Sequence, residues 1–398
     1  MELEPDPEAL ERDAREREAA RAAANHARAL AGRGAGLNPP PRYGAARTER
    51  VDDGWQAPAT DAAGSDEAEP REAEPREPVP DSIATEVRPE AARSLITRND
   101  SPDIPFTQSI NPYRGCEHGC VYCYARPAHA YVDLSPGLDF ETRLFYKADA
   151  VRLLRDELAA PSYRCSPISL GANTDPYQPV EKRLGVTRSI LELLSATGHP
   201  VTIVTKGTLV LRDLDLLASL AARGLTQVWI SLTTLDESLK RGLEPRAASP
   251  AARLRAMREL AAAGVPVGVM AAPMIPAVND AELERLLEAA AGAGARRAGY
   301  VLLRLPREVA PLFRDWLERQ LPERAAHVMS LVQQARGGRD NDPRFGARMR
   351  GEGAWAGLLA DRFRLACRRL ALDVERSPPL DITQFRPPRV GGQLELGW

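Results

Sequence analysis

Short apolar runs alternating with helix-patterned segments predict an α/β protein built on a parallel sheet. Two observations carry that expectation. The runs Ile168–Ala172, Val201–Thr205, Val228–Leu232, Val265–Ala271 and Tyr300–Leu305 have strand length and are largely apolar throughout, as strands covered on both faces must be. Between them lie segments whose apolar residues recur every three or four positions, and a strand–helix–strand order implies parallel pairing.

In chain order, residues 1–30 combine Ala, Arg and Glu without an apolar stripe, which describes a frayed, solvated helix. Gly32 to Trp55 is rich in Gly and Pro. Its isolated Leu37, Tyr43, Val51 and Trp55 read equally well as anchors laid over a core or as part of a disordered tail. Residues 56–80 include the repeat Glu-Ala-Glu-Pro-Arg from Glu67 to Arg76, charged and broken by proline, which cannot bury a core. Order is expected to begin near Ser82 to Ile96, and a first strand near Phe106–Ile110 brings the parallel strands to six. Leu214, Leu217 and Ala221 share one helical face; so do Leu283, Leu286, Leu287 and Ala290, followed by Gly292 and Gly294 as stop signals. Arg307 to Leu372 reads as helices and 373–398 as an irregular, Pro-rich end. The expected division is a low-complexity tail over 1–81, a core domain over 82–306 and a helical extension over 307–398.

Hydrophobic content of 43% over 398 residues supports a substantial core, and a net charge of −2 gives no global pull toward nucleic acid or membrane. Of the 53 basic residues only Lys147, Lys182, Lys206 and Lys240 are lysine, so a lysine at a strand end stands out. The charged N-terminus lacks the apolar segment of a secretory signal. The longest apolar run, Val265 to Val278, is interrupted by prolines and too short for a bilayer. Neither pattern suggests a membrane, and the cysteine usage fits a reducing cytoplasm.

Chemistry concentrates in Cys116-Glu-His-Gly-Cys120-Val-Tyr-Cys123, which holds three of the five cysteines. Thiolates so close together are metal ligands more often than disulfide partners. A cubane iron–sulfur cluster held by three thiolates keeps one iron open to a small molecule. Gly115 and Gly119 permit the positive φ that such a wrap needs, and amides of the turn can donate to the sulfurs. The rival readings are a structural zinc site with His118 as fourth ligand, or disulfides.

The Cys-x3-Cys-x2-Cys spacing followed by Tyr124 resembles the radical S-adenosylmethionine (radical SAM) enzymes. The longer stretch from Ser109 to Arg126 is similar to a bacterial branch related to spore photoproduct lyase. The resemblance runs from about Leu95 to the C-terminus, with a weaker likeness near Arg33 to Trp55. It implies a partial (β/α)6 TIM-like barrel and two cofactors, a [4Fe-4S] cluster on Cys116, Cys120 and Cys123 and S-adenosylmethionine. It further implies reductive cleavage of the latter to a 5′-deoxyadenosyl radical that abstracts hydrogen from a substrate, with electrons from a flavodoxin- or ferredoxin-like donor. In parallel α/β architectures ligands collect at the carboxyl ends of strands. There the resemblance points to Asn173, Thr174 and Asp175, to Lys206 in Val-Thr-Lys, and to Ser231, as contacts of S-adenosylmethionine. The bland alternatives are an Asx-type turn, a surface lysine and a core serine. Met270–Pro276 and Leu302–Leu305 read as an adenine floor or as ordinary packing.

Substrate is less legible. Ala172 stands where the lyase has its hydrogen-donating cysteine, which argues against the same reaction, and Cys165 lies ahead of its strand. Arg336 to Arg350, continued by Arg362, Arg364, Arg368 and Arg369, reads as a nucleic-acid contact, a solvated helical face, or a lid from which Arg339 or Arg344 meets an anionic substrate. His118 is expected to shield the cluster or bond a sulfur. The expected function is a radical SAM enzyme acting on an unidentified substrate, with modified or damaged nucleic acid foremost. The alternative is a non-catalytic iron–sulfur or zinc protein that binds nucleic acid or a partner.

Overall fold

The computed structural model describes residues 32–43, 84–372 and 379–388. Its main sheet has seven strands. Six are parallel neighbours: β3 (Gln108–Ile110), β6 (Ile168–Leu170), β7 (Val201–Thr205), β8 (Thr226–Ser231), β9 (Val267–Met274) and β10 (Arg297–Leu302). β2 (Ile96–Arg98) adds antiparallel to the free side of β3, a strand too short and polar to show in the sequence. β10 and β2 are the two edges, so the six-stranded parallel sheet is an open, partial barrel as the resemblance implied. A second sheet of β1 (Glu86–Glu90), β5 (Arg143–Lys147) and β4 (Tyr113–Arg114) flanks the β3 edge.

Crossover helices cover the outside: α1 (Ala150–Ala159), α2 (Val186–Ala196), α3 (Leu214–Ala222), α4 (Glu237–Leu243), α5 (Pro250–Ala262) and α6 (Leu283–Gly292). The expected helical faces are those buried: Leu217 on α3, and Leu283, Leu286, Leu287 and Ala290 on α6. These join Ile168, Leu170, Val201, Ile203, Val228, Ile230 and Val269 in one continuous core. Each fully buried side chain of this size contributes about 1.5–3 kcal/mol from apolar burial.

β3, β6 and β8 differ from expectation by one or two residues at their ends, β9 and β10 by up to three. β9 continues to Met274, beyond Ala271. β10 begins at Arg297 and stops at Leu302, because Leu303 and Leu305 turn away to pack with Phe313, Trp316 and Val328. Those three come from α7 (Val309–Gln320) and α8 (Pro322–Gln334), which begin the helical C-terminal part. α9 (Ala347–Arg350) and α10 (Gly353–Arg369) complete it. Residues 379–388 form neither helix nor strand; Phe385 packs on Tyr163 and His199 near the amino end of β7.

The tail expectation requires a correction. Within 1–81, residues 32–43 lie against the core, and Ala35 is 1% exposed. The anchor is backbone rather than the large side chains: Leu37 and Tyr43 are exposed, while the amides of Gly34 and Ala35 donate to the Glu141 carboxylate at 2.9 Å each. The expectations for residues 1–30 and 56–80 lie outside the described residues, as do Val51 and Trp55.

Candidate active site at the strand ends

The loop from Cys116 to Cys123 follows β4 and is held from both sides by buried polar side chains. Gly115 and Gly119 take φ of +77° and +66°, the left-handed conformations such a wrap requires. On one side Gln178 accepts from the Glu117 amide at 2.8 Å and donates to the Gly115 carbonyl at 3.2 Å. On the other, Arg126 donates to the carbonyls of Cys120, Pro136 and Gly137 and pairs with Glu141 at 2.5 Å. Both members of that pair are fully buried, so removing either would leave a charge uncompensated in the interior. Gly34 completes the wrap: a Cβ there would stand 1.7 Å from the Gly119 carbonyl oxygen.

All five cysteines are free thiols, which sets aside the disulfide reading. The three in the loop are near enough to raise one another's pKa, although burial is the largest cause. Cys120 is pushed up to about 12, Cys116 well above its ordinary value, and Cys123 upward. The Asp175 amide donates to the Cys116 sulfur, and the amides of Ala125 and Arg126 to that of Cys123. This donor set suits an iron–sulfur cluster: three convergent soft ligands, with amides ready to stabilise sulfur charge. It suits zinc poorly. Among the described residues no three His, Cys, Asp or Glu side chains are grouped as ligands of a single ion, whereas the thiolates of a cubane bind separate irons. His118, the supposed fourth ligand, instead directs Nδ1 to Asp175 Oδ2 at 3.3 Å, which also corrects the expectation that it bonds a sulfur.

Beyond the strands, Asp175, Lys206 and Ser231 follow or end the three adjacent strands β6, β7 and β8, and the structure brings them together. Asp175 accepts from the Thr205 hydroxyl at 2.6 Å, the Lys206 amide at 2.7 Å and the Tyr177 amide at 2.9 Å. Burial alone would raise its pKa, but His118, Thr205 and the Lys206 amide outweigh it and hold the carboxyl at about 2. The Asx-type turn is therefore real, and it ties β6 to β7 beside Cys116. Lys206 Nζ donates to Ser231 Oγ at 2.5 Å and lies 6.0 Å from the centre of the Tyr122 ring. Thr174 is turned inward, its hydroxyl donating to the Tyr113 carbonyl at 2.8 Å. Asn173 is exposed and lines a polar cavity of about 170 Å³ with Asn111, Lys147 and His129. Of the expected apolar floor, Ala271, Met274 and Leu302 belong to the core and Ile275, Leu303 and Leu305 to the packing beneath α7.

Sequence reading missed the residue at the centre of this arrangement. Glu244, fully buried after α4, accepts from Thr233 at 2.5 Å and from Tyr122 and Arg253 at closer range, and lies 3.8 Å from Lys206 Nζ. Burial raises it, yet Arg253, Lys206 and the two hydroxyls prevail and hold it at about 2. A carboxylate placed directly before Pro245, after the apolar Leu243, was the available clue. Cys165 precedes β6 and so lies at the opposite end of the sheet from the thiol loop, as expected, while Ala172 follows the strand and its carbonyl accepts from the Tyr124 hydroxyl.

The arginine-rich segment is mostly satisfied internally. Arg344 pairs with Asp342 and Glu352, Arg362 with Glu284, Arg364 with Asp361, and Arg336 is buried against the carbonyls of Leu303 and Ala347. Arg339, Arg368 and Arg369 stay exposed. Gly346 and Arg348 bond Asp103, in the connection between β2 and β3, so this segment reaches from β10 to the opposite edge of the sheet. Among the described residues no helix is long and apolar enough to cross a membrane.

The family profile of the radical SAM superfamily matches residues 110–290. Rv2578c, an uncharacterized protein of Mycobacterium tuberculosis, is 40% identical over 232 residues, which is 58% of this chain and 68% of that protein. An uncharacterized protein of Methanocaldococcus jannaschii is 28% identical over 173 residues, 44% of this chain and 62% of its own. Among solved structures, spore photoproduct lyase complexed with dinucleoside spore photoproduct superposes with a TM-score of 0.52 at 18% identity, over 71% of this chain and 79% of the lyase, a likeness of fold. A variant of that lyase with bound AdoMet gives a TM-score of 0.50, also at 18% identity, over 71% and 78% of the two chains. The thiol loop, the six parallel strands and these matches agree: the chain is an enzyme of the radical SAM superfamily, whose members use a [4Fe-4S] cluster and S-adenosylmethionine.

Proposed function

We propose that Cys116, Cys120 and Cys123 hold the [4Fe-4S] cluster and that Lys206, Ser231 and Asn173 receive the amino-acid end of S-adenosylmethionine. When bound, this pair supplies a 5′-deoxyadenosyl radical for hydrogen abstraction. The observation that carries the proposal is the convergence of two buried thiols and a half-buried one with a lysine at the ends of β6–β8, in a chain where lysine is rare. Lys206 supplies the cation for the ligand carboxylate, and Ser231 fixes its ammonium. Glu244 and Arg253 keep that lysine in place without solvent. Asp175 and Thr174 are positioning residues whose polar atoms are spent on the turn and on Tyr113. Tyr122, Lys206 and the loop exclude water from the sulfurs, which favours one-electron chemistry over side reactions.

The substrate class favoured is modified or damaged nucleic acid, by a reaction that does not depend on a cysteine after β6, since Ala172 stands there. Electrons would come from a flavodoxin- or ferredoxin-type donor in a reducing cytoplasm. Residues 82–306 are taken as the radical SAM core and 307–398 as its helical extension. The deciding experiment is anaerobic reconstitution with iron and sulfide, followed by dithionite and S-adenosylmethionine. We expect 5′-deoxyadenosine from the native chain and none from Cys123→Ala. A chain that binds zinc and no iron would overturn the proposal.

A further inference from the structure

Arg304 lies just beyond β10, facing the thiol loop across the open end of the barrel. Its guanidinium sits 5.3 Å from the centre of the Tyr124 ring, and Tyr124 directly follows Cys123. It is half-buried, and its polar contact is the soft one of Nη1 with the Met349 sulfur at 3.7 Å. Nε is buried and bonds nothing, and among the described residues no carboxylate lies within ion-pair distance. Of its neighbours, Arg348 is matched by Asp103 at 2.5 Å and Arg344 by Asp342 at 2.6 Å, while Arg350 also stands over a ring, that of Tyr300. Arg336 is buried and donates to the carbonyls of Leu302, Leu303 and Ala347. Asp103, the acid whose field reaches Arg304, is already bonded by Arg348 and Gly346, so the Arg304 guanidinium stands over Tyr124 without an acid of its own. A desolvated, unpaired guanidinium is costly unless an anion joins it. The planar guanidinium fork suits the oxygens of a phosphate.

We propose that Arg304, beneath the segment 341–351, binds a phosphate group of the substrate and sets the substrate's reacting portion against the thiol loop. This deepens the nucleic-acid reading and rests on it for the identity of the reaction. Met349 would be displaced as the phosphate arrives, because the two compete for the same Nη1. Gly346 and Gly351, with φ of +80° and +70°, bracket α9, which is held by Asp103 through Gly346 and Arg348. The phosphate could belong to a polynucleotide backbone or to a free nucleotide, and the test separates these sources.

The experiment measures binding to the cluster-reconstituted full chain with a fluorescein-labelled single-stranded 12-mer, with thymidine 5′-monophosphate, and with thymidine as the phosphate-free control. At least one phosphate-bearing probe is expected to bind with an affinity that falls with salt. Arg304→Gln should weaken it by about tenfold or more. Arg304→Lys, which keeps the charge but loses the fork, should fall between. Arg364→Gln, which removes an exposed arginine paired on α10, should change nothing. Preference for the 12-mer identifies a backbone phosphate, and preference for the mononucleotide a free one. Thymidine binding as tightly as its monophosphate would overturn the proposal, as would equal losses in Arg304→Gln and Arg364→Gln. If Arg304→Gln fails to fold, the lysine variant against the native chain decides, and identical affinities there overturn the proposal. Since binding needs no turnover, its failure leaves the proposed radical chemistry standing. Absent 5′-deoxyadenosine with intact Arg304-dependent binding would strike that chemistry alone.

Discussion

The carboxyl ends of β6–β8 and those of β9–β10 belong to one sheet but are finished differently. At the first three, every charged group already has partners: Asp175 is saturated by Thr205, Lys206 and Tyr177, and Glu244 by Tyr122, Thr233 and Arg253. At the last two the strands end in apolar side chains packed below α7, and the nearby cation, Arg304, meets only a sulfur and an aromatic ring. A rim saturated in advance fixes the position of a ligand that is always the same. An unsaturated one waits for a group brought from outside. On the proposed reading, the division corresponds to a cofactor half and a substrate half.

The largest effect should come from the thiols. Alanine at Cys116, Cys120 or Cys123 should abolish bound iron and cofactor cleavage while far-ultraviolet circular dichroism stays native; retained turnover in any of them would break the assignment of the first half. Next, Glu244→Ala leaves Arg253 and Lys206 without their carboxylate and should cost about 3–5 kcal/mol, readable in urea unfolding. A loss under about 1 kcal/mol would mean that this half is not preorganised by charge.

Acid acts on two buried histidines, His199 near the amino end of β7 and His129 in the cavity that Asn173 lines. Burial holds His129 and His199 at about 4, and an unfolded histidine titrates near 6.5. Between those values the unfolded chain binds protons that the fold does not. This stability is therefore complete above about pH 6.5 and is lost as pH falls toward 4, by about 3 kcal/mol per histidine at the limit. Unfolding free energies that do not change between pH 7.5 and 5 would contradict this.

Lys206→Ala should weaken S-adenosylmethionine binding by about 1.5–3 kcal/mol with the iron content unchanged, measured by equilibrium dialysis of the reconstituted protein. The smallest effect is expected from Ser231→Ala, about 1 kcal/mol in the same assay, because Glu244 still holds the lysine. Equal effects from both variants would show that the serine contributes to the ligand as much as the lysine does.

Much of the fold was legible because buried parallel strands advertise themselves as apolar runs. β7 spans Val201–Thr205 as read, and α6 begins at Leu283 as its apolar face implied. β1, β2 and β4 were not legible: they are short and partly polar. The thiols could be found from spacing, and Lys206 from its rarity among arginines. Glu141, Glu244 and Arg126 could not. Their importance lies in burial with a partner, and in composition they resemble the many exposed charges around them.

The sequence by itself determined the alternation that makes a parallel sheet, the three-thiol loop, and the glycines on which that loop turns. Those follow from local chemistry: periodicity, spacing and permitted φ. Tertiary structure alone decided that Gly34 and Ala35 return to cap Glu141, that His118 faces Asp175 rather than a sulfur, and which arginines meet an acid. Pairing of charges depends on what folding brings within a few ångströms, and residues 245 positions apart, as Asp103 and Arg348 are, carry no local mark of it.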